Sequence, residues 1–549
     1  MTRPVTLILG ASAFALSTPQ LAEAADMVFR GGTVYTPQGF ETAMAVENGV
    51  IVAFGDAAEA MSEGAEVVEL DGATVLPGLH DSHVHAVSAG LKQTQCLIPQ
   101  GSDMETLLDI VAECAADAAP GAWIQGGSYE TSTLGARPTA AALDEVAPDN
   151  PVVLTDVSLH SRWANTAALD AAGIDADTQA PENGIIERGD DGAPTGVLHE
   201  SATGLVESAI PAPSAEELET ALALAQDQML SHGITAIMEA LADGPTMQAY
   251  ATLAEAGEFK QRAITCITVR DPEAIEQRGS FAIDPVEPRC VKLFLDGVPT
   301  DSNTAAMLAP YEHGAYDGEP GTGMLMVPQD ELNAQVAKFD AMGMMTKIHA
   351  AGDGAVRAAI RAIEYAREEN GPVGPTHNIA HLSFVAPEDF ERARAAGAVM
   401  EFSPYIFFDH PIVQGIRHAV GDARMERWIP VADAIDAGVL SVAGSDWPVV
   451  PFVNPWPAIE TLVTRQAPGG SETETGASQK ITVVQALDLF TRNAAQLHGR
   501  AHLTGTLELG KLADLAIIDR NIFEIDPTEI HDTTVIATYI GGEEVYAAD

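Results

Sequence analysis

Apolar runs of strand length recur eight times along the middle of this chain. They fall at about 75–85, 234–240, 262–270, 289–296, 344–350, 376–383, 397–403 and 439–445. Short apolar runs that alternate with helical stretches mark a parallel sheet covered on both faces. Helical stretches such as Ala215–Ser231, Asp330–Ala341 and Ala355–Glu368 lie between them. Eight such units are the number a (β/α)8 barrel requires. The expected fold class is α/β, a distorted TIM-type (β/α)8 barrel over residues 76–499. The interval between the first and second runs is too long for one helix. An insertion is therefore expected at about 90–215, with turns such as Pro181–Gly184 and Gly189–Gly192.

Both ends are β-rich. Met27–Tyr35 and Ala45–Phe54 read as short strands divided by Gly and Asn turns, and so do Leu512–Asp519 and Thr534–Tyr546. Together, 26–75 and 500–549 suggest one small β-sandwich domain built from both chain ends. Residues 1–25 read as an export signal: Arg3, an apolar stretch from Val5 to Leu16, and the A-x-A site Ala22–Ala24. That stretch is too short to span a bilayer. Cleavage near Ala24/Ala25 and a periplasmic or secreted location are expected, with no membrane partner afterwards.

The net charge of -51 excludes nucleic acid as a natural partner, because phosphate needs basic patches. The acidity reads as a highly solvated surface. Of four cysteines, Cys266 and Cys290 sit in apolar strands, where a buried thiol is the expected role. Cys96 and Cys114 could pair, although no spacing demands it. None has metal-binding CxxC spacing.

Chemistry concentrates at the strand ends, where barrel active sites lie. The first run ends in Leu76-Pro-Gly-Leu-His-Asp-Ser-His-Val-His85. Period-two alternation aims His83 and His85 to one side, as two nitrogen ligands for one metal would need. Alone, the pair could equally be polar residues at a strand end. Lys292 interrupts the fourth run, His349 ends the fifth, His381 ends the sixth and Asp446 follows the eighth. His349 and His381 are 32 residues apart, one β/α unit, and His381 and Asp446 are 65 apart, two units. All six groups are thus expected on one rim. Lys292 is one of seven lysines, and a buried ammonium beside metal would be costly. Reaction with CO2 would give a carbamate able to bridge metals; a packed lysine paired with Asp296 is the alternative. Lys347, two residues before His349, is a rival lysine. Asp446, in Gly444-Ser-Asp-Trp-Pro448, can ligate metal and take a proton from metal-bound water, which hydrolysis at neutral pH requires.

With these motifs assembled, the chain resembles the amidohydrolase superfamily, in the branch called amidohydrolase family 3. That branch includes D-aminoacylase-like and N-substituted formamide deformylase-like enzymes. The match is carried by His80–His85, Lys292–Gly297, His349–Gly354, Ala380-His381 and Gly444–Val449. Pro148–Val152, Pro194–Glu200 and Gly510–Leu515 echo it. The resemblance implies a metal-bearing barrel with a β-sandwich and one or two divalent ions, Zn2+ foremost. His83 and His85 would hold the more buried ion, a carboxylated Lys292 would bridge, and His349 and His381 would hold the second. Asp446 would be ligand and general base. Where the family often reads Asp-Gly-His-Ser before a Trp, this chain has Val157-Ser-Leu-His-Ser-Arg-Trp163. His160 and Trp163 are accordingly substrate-pocket candidates. Arg270, at the end of the third run, is a candidate for a substrate carboxylate or a structural ion pair. Asp81 and Asp353 read as supporting or capping residues.

The expected activity is hydrolysis of a C–N bond in a small amide or N-acyl compound. The alternatives are ester, lactone or carbamate hydrolysis at the same site, or a non-catalytic periplasmic metal- or small-molecule-binding protein. Homo-oligomerisation stays open.

Overall fold

Eight parallel strands follow one another around the barrel: β1 (Leu79–Val84), β2 (Ile234–Ala242), β3 (Arg262–Thr268), β4 (Val286–Phe294), β5 (Met345–Ala350), β6 (Asn378–His381), β7 (Val399–Phe402) and β8 (Ser441–Ala443). The computed structural model describes residues 25–99, 101–156, 161–182, 184–300, 303–314, 319–406 and 411–548. The expected signal segment through Ala24, and His160, lie outside the described residues. Each strand falls on one of the eight expected runs. Between β8 and β1 the ladder is reduced to a parallel bridge, Val84 to Trp447. Two backbone bonds reinforce it at 2.8 Å, His85 N–H to the Trp447 carbonyl and Asp446 N–H to the His83 carbonyl.

The barrel floor is apolar: Met238, Ile264, Cys266, Cys290, Met345, Val399 and Val442 form one buried cluster. A filled interior of this kind makes the barrel a packed core rather than a pore. Outer helices pack the strands from outside. The first after the insertion, Ala215–Leu230, starts at a capping box in which Ser214 and Glu217 each bond the other's backbone N–H.

The cysteines correct an expectation. Cys266 and Cys290 are not free buried thiols; they form a disulfide. Parallel pairing of β3 with β4 sets them directly opposite, and periodicity alone carries no register. Cys96 and Cys114 form the second disulfide.

The insertion between β1 and β2 is a domain-like unit with a six-stranded mixed sheet, made from strands within Cys96–Glu200. The two chain ends build a further eight-stranded sheet, from Met27–Thr36 to Thr74–Pro77 on one side and Leu515–Ile518 to Glu543–Ala547 on the other. It is one hydrogen-bonded sheet curled on itself. Phe29 and Tyr539, on strands that are not neighbours, meet edge to face at 5.3 Å over a shared apolar core. The curl thereby gives the enclosed core expected of a sandwich.

Candidate active site

Strand periodicity stacks the candidate centre in levels. Two residues above the floor positions Cys290, Met345, Val399 and Val442 stand Lys292, Lys347, Glu401 and Gly444; two further stand Phe294, His349, Ser403 and Asp446. Alternation explains why one strand face rises from apolar to charged to rim residues. Lys292, Lys347 and Glu401 are all buried.

His83 is at the centre and fully buried. Its Nδ1 lies 2.5 Å from Glu401 Oε1. Its Nε2 faces the other way, 3.3 Å from Lys292 Nζ and 3.5 Å from Asp446 Oδ1. His85 repeats the arrangement: Nε2 is 3.2 Å from the same Asp446 Oδ1, and Nδ1 is 3.8 Å from Glu239 Oε1. Glu239 is itself held by the Ala86 N–H at 2.9 Å and the Tyr250 hydroxyl at 3.0 Å. The His381 ring lies 4.7 Å from that of His83 and 4.4 Å from that of His349, centre to centre. His381 Nδ1 is 3.8 Å from Asp446 Oδ2. His349 Nε2 donates to the Gly297 carbonyl at 3.1 Å, which leaves the ring's lone pair on Nδ1. The structure thus gathers His83, His85, Lys292, His349, His381 and Asp446 on one rim.

The donor set fits a divalent metal. Ligand atoms of His83, His85 and Asp446 lie within 4.8 Å of one another. Imidazole nitrogen with a carboxylate oxygen suits zinc and its neighbours. The second nitrogen of both histidines faces a buried carboxylate, the arrangement that orients metal-binding imidazoles. Burial, helped by the Lys292 charge, holds His83 well below the ordinary histidine range. Burial also lowers His381, and it lowers His349 to about 4. Neutral imidazole is the form that ligates. Burial and then the like charge of Lys347 lower Lys292 to about 7.

The backbone is unusual here. Asp446 and His381 adopt left-handed conformations, φ 58° and 79°, which non-glycine residues occupy mainly where surrounding structure imposes them. Asp81 braces this closure, accepting from the N–H groups of His83 and Ser445, each at 3.0 Å. Burial raises its carboxyl to about 6. Asp353 opens the helix Asp353–Asn370 and accepts from Leu308 N–H at 2.8 Å.

The two lysines separate cleanly. Lys347 donates to the Ser82 carbonyl and Asn378 Oδ1, each at 2.8 Å, and to Glu401 Oε2. Lys292 contacts His83, with the Phe294 ring 5.2 Å away. Asp296 is not its partner: that carboxylate accepts from the backbone N–H groups of Ala306, Ala351 and Gly352. Among the pocket candidates, Trp163 is corrected. It is fully buried in the insertion core, its indole N–H donating to the Thr139 carbonyl at 2.9 Å. Arg270 is exposed just beyond β3, and His160 lies outside the described residues. Glu239 and Glu401 were missed by motif and spacing. Each is a lone carboxylate inside an apolar strand, the same signal that singles out Lys292.

A (β/α)8 barrel with a histidine–carboxylate centre at the C-terminal rim defines the class of this protein. A model of the amidohydrolase family matches residues 66–546, and the chain belongs to that family. It is 29% identical to Protein LONG AFTER FAR-RED 3 of Arabidopsis thaliana, over 96% of this chain and 93% of that one. It is 27% identical to the N-substituted formamide deformylase of Arthrobacter pascens, covering 91% and 94% of the two chains. An uncharacterized metal-dependent hydrolase from Pyrococcus furiosus shares the fold, with a TM-score of 0.75 and 23% identity over 91% of this chain and all of that chain.

Proposed function

We propose that this protein is a metal-dependent hydrolase that cleaves a C–N bond in a small amide or N-acyl substrate. One observation carries the reading. His83 and His85 both direct Nε2 to within 3.5 Å of Asp446 Oδ1 while each turns Nδ1 toward a buried glutamate. The C–N preference is supported by the deformylase among its relatives.

His83, His85 and Asp446 would hold a divalent ion, Zn2+ first, with His349, His381 and a carboxylated Lys292 available for a second. Such an ion polarises a carbonyl and lowers the pKa of water from about 16 to near 7. Asp446 stands at the partly open rim and turns Oδ2 toward His381. It takes the proton of the attacking water and delivers it to the departing amine. Lys292, whose head makes no ion pair at contact distance with a carboxylate among the described residues, is the lysine we assign to carbamate formation. Export to an oxidising compartment is supported by two disulfides. No helix among the described residues is long and apolar enough to cross a membrane.

The test measures metal per chain by mass spectrometry. It then follows hydrolysis of N-acyl amino acids, N-substituted formamides, esters and lactones by wild type and Asp446→Asn. The expected result is bound divalent metal, amide or formamide turnover, and a variant that keeps metal but loses roughly 10²–10⁴-fold in kcat. Wild-type turnover by the variant, or full activity after exhaustive chelation, would sink the mechanism. Turnover of esters or lactones alone would move the substrate class.

A further inference from the structure

The tie between His83 and Lys347 runs through a single side chain. We propose that Glu401, clamped by Lys347, is a positioning residue that fixes the tautomer of His83 and thereby sets the metal affinity of the centre. The inference rests on the metal reading given above.

Three observations converge. Both Glu401 oxygens are engaged: Oε1 lies 2.5 Å from His83 Nδ1 and Oε2 receives the Lys347 ammonium. Lys347 is held at two further points, the Ser82 carbonyl and Asn378 Oδ1, each at 2.8 Å. All three side chains of the chain His83–Glu401–Lys347 are fully excluded from solvent. A carboxylate has no proton to give while ionised, so His83 must donate from Nδ1. The lone pair is then left on Nε2, the nitrogen that faces Asp446, Lys292 and the other histidines. Burying a charge pair costs desolvation, so its worth lies in what the pair specifies rather than in stability. Here it specifies which nitrogen of His83 is a ligand.

Position in the barrel reinforces the assignment. Lys347 and Glu401 stand one level above the apolar floor, on β5 and β7, and Asn378 stands on β6 between them. Lys347 therefore ties three adjacent strands and, through the Ser82 carbonyl, the opposite strand β1 that carries His83. Lys292 cannot supply this clamp, because its head lies on the Nε2 side of the imidazole. The two lysines divide the work: one faces the ligand nitrogen, and the other holds the carboxylate behind the ring.

The tautomer is read in the metal-free wild type by two-bond 1H–15N spectroscopy of 15N-histidine-labelled protein, with His83 assigned by His83→Gln. The proposal expects His83 protonated at Nδ1. Protonation at Nε2 overturns it, whatever the metal content. Affinity is read by Zn2+ competition against a chromophoric chelator for wild type, Glu401→Gln and the charge-balanced pair Glu401→Gln/Lys347→Met. The pair keeps the fold free of an orphaned charge. Zn2+ affinity 10–100-fold weaker in both variants is expected, the pair keeping a wild-type circular dichroism spectrum. A folded pair with wild-type affinity overturns the proposal, because the clamp would then be structural only. Wild type without Zn2+ affinity would instead sink the metal reading and leave the tautomer result standing by itself.

Discussion

Gly444 lies directly against His83: a Cβ on Gly444 would stand 2.4 Å from the Cβ of His83 and 2.7 Å from its backbone nitrogen. The end of β8 therefore approaches the end of β1 more closely than any other residue would allow. That closeness brings Asp446 to His83 in β1 and to His85 just beyond it. Gly444→Ala should push His83 off the Glu401 contact and weaken metal retention. Overpacking of this kind costs about 1–3 kcal/mol. Metal stoichiometry and thermal midpoint measured side by side check it; a variant with wild-type metal content and midpoint would contradict the close approach.

The terminal sheet is fastened to the barrel by Arg262 and Asp514. Arg262 grips both oxygens of the nearly buried carboxylate at 2.6 and 2.8 Å, and Asp514 also accepts from Gly541 N–H. Arg262→Met strands a buried charge, and a loss on the order of 3 kcal/mol is expected. The double change Arg262→Met/Asp514→Leu should recover most of it. Urea unfolding of the three proteins decides, and equal losses in single and double variants would contradict the pairing.

His377 supplies a pH prediction away from the rim. Its Nδ1 accepts from the Thr346 hydroxyl and N–H, and its Nε2 faces Asp340 at 2.9 Å. Burial lowers it to about 4. Above the ordinary histidine value near 6.5, neither the folded nor the unfolded chain protonates this ring. Between there and about 4, only the unfolded chain does, so stability falls as pH falls. Measured against His377→Asn, wild type should lose about 2 kcal/mol of its advantage between pH 7.5 and 5. A pH-independent difference would contradict the assignment.

Both cysteine pairs should be oxidised in protein isolated from an oxidising compartment. Alkylation of the unfolded chain should add no mass before reduction and four adducts after it. Removing Cys266–Cys290 by Ala substitution should cost roughly 3 kcal/mol. Free thiols in the unreduced chain would contradict the bonded pairs.

Strand periodicity made the barrel legible. Each run from β1 to β8 was long and apolar enough to be read without tertiary information, and the ligands were found because barrel chemistry lies at strand ends. What stayed hidden depends on register or long-range contact. Cys266 faces Cys290 only once β3 and β4 are aligned. Trp163 looked like a pocket wall because its motif neighbourhood says nothing of the core formed with Tyr129. The insertion's sheet was concealed by turn-rich segments with weak alternation. Glu239 and Glu401 were visible in principle, as charges stranded in apolar strands, but only the strand pairing shows which histidine each one meets.

The strand Thr74–Pro77 runs almost straight into β1, and its antiparallel neighbour is Leu515–Ile518. The segment leading to His83 and His85 emerges from the ribosome early, whereas the strand that secures it arrives after nearly all the barrel has been made. Full pairing of the strand that leads into the centre therefore needs the last strands of the chain as well as the first. A product truncated before Leu515 would carry the histidines yet leave one edge of the strand that leads into them unpaired.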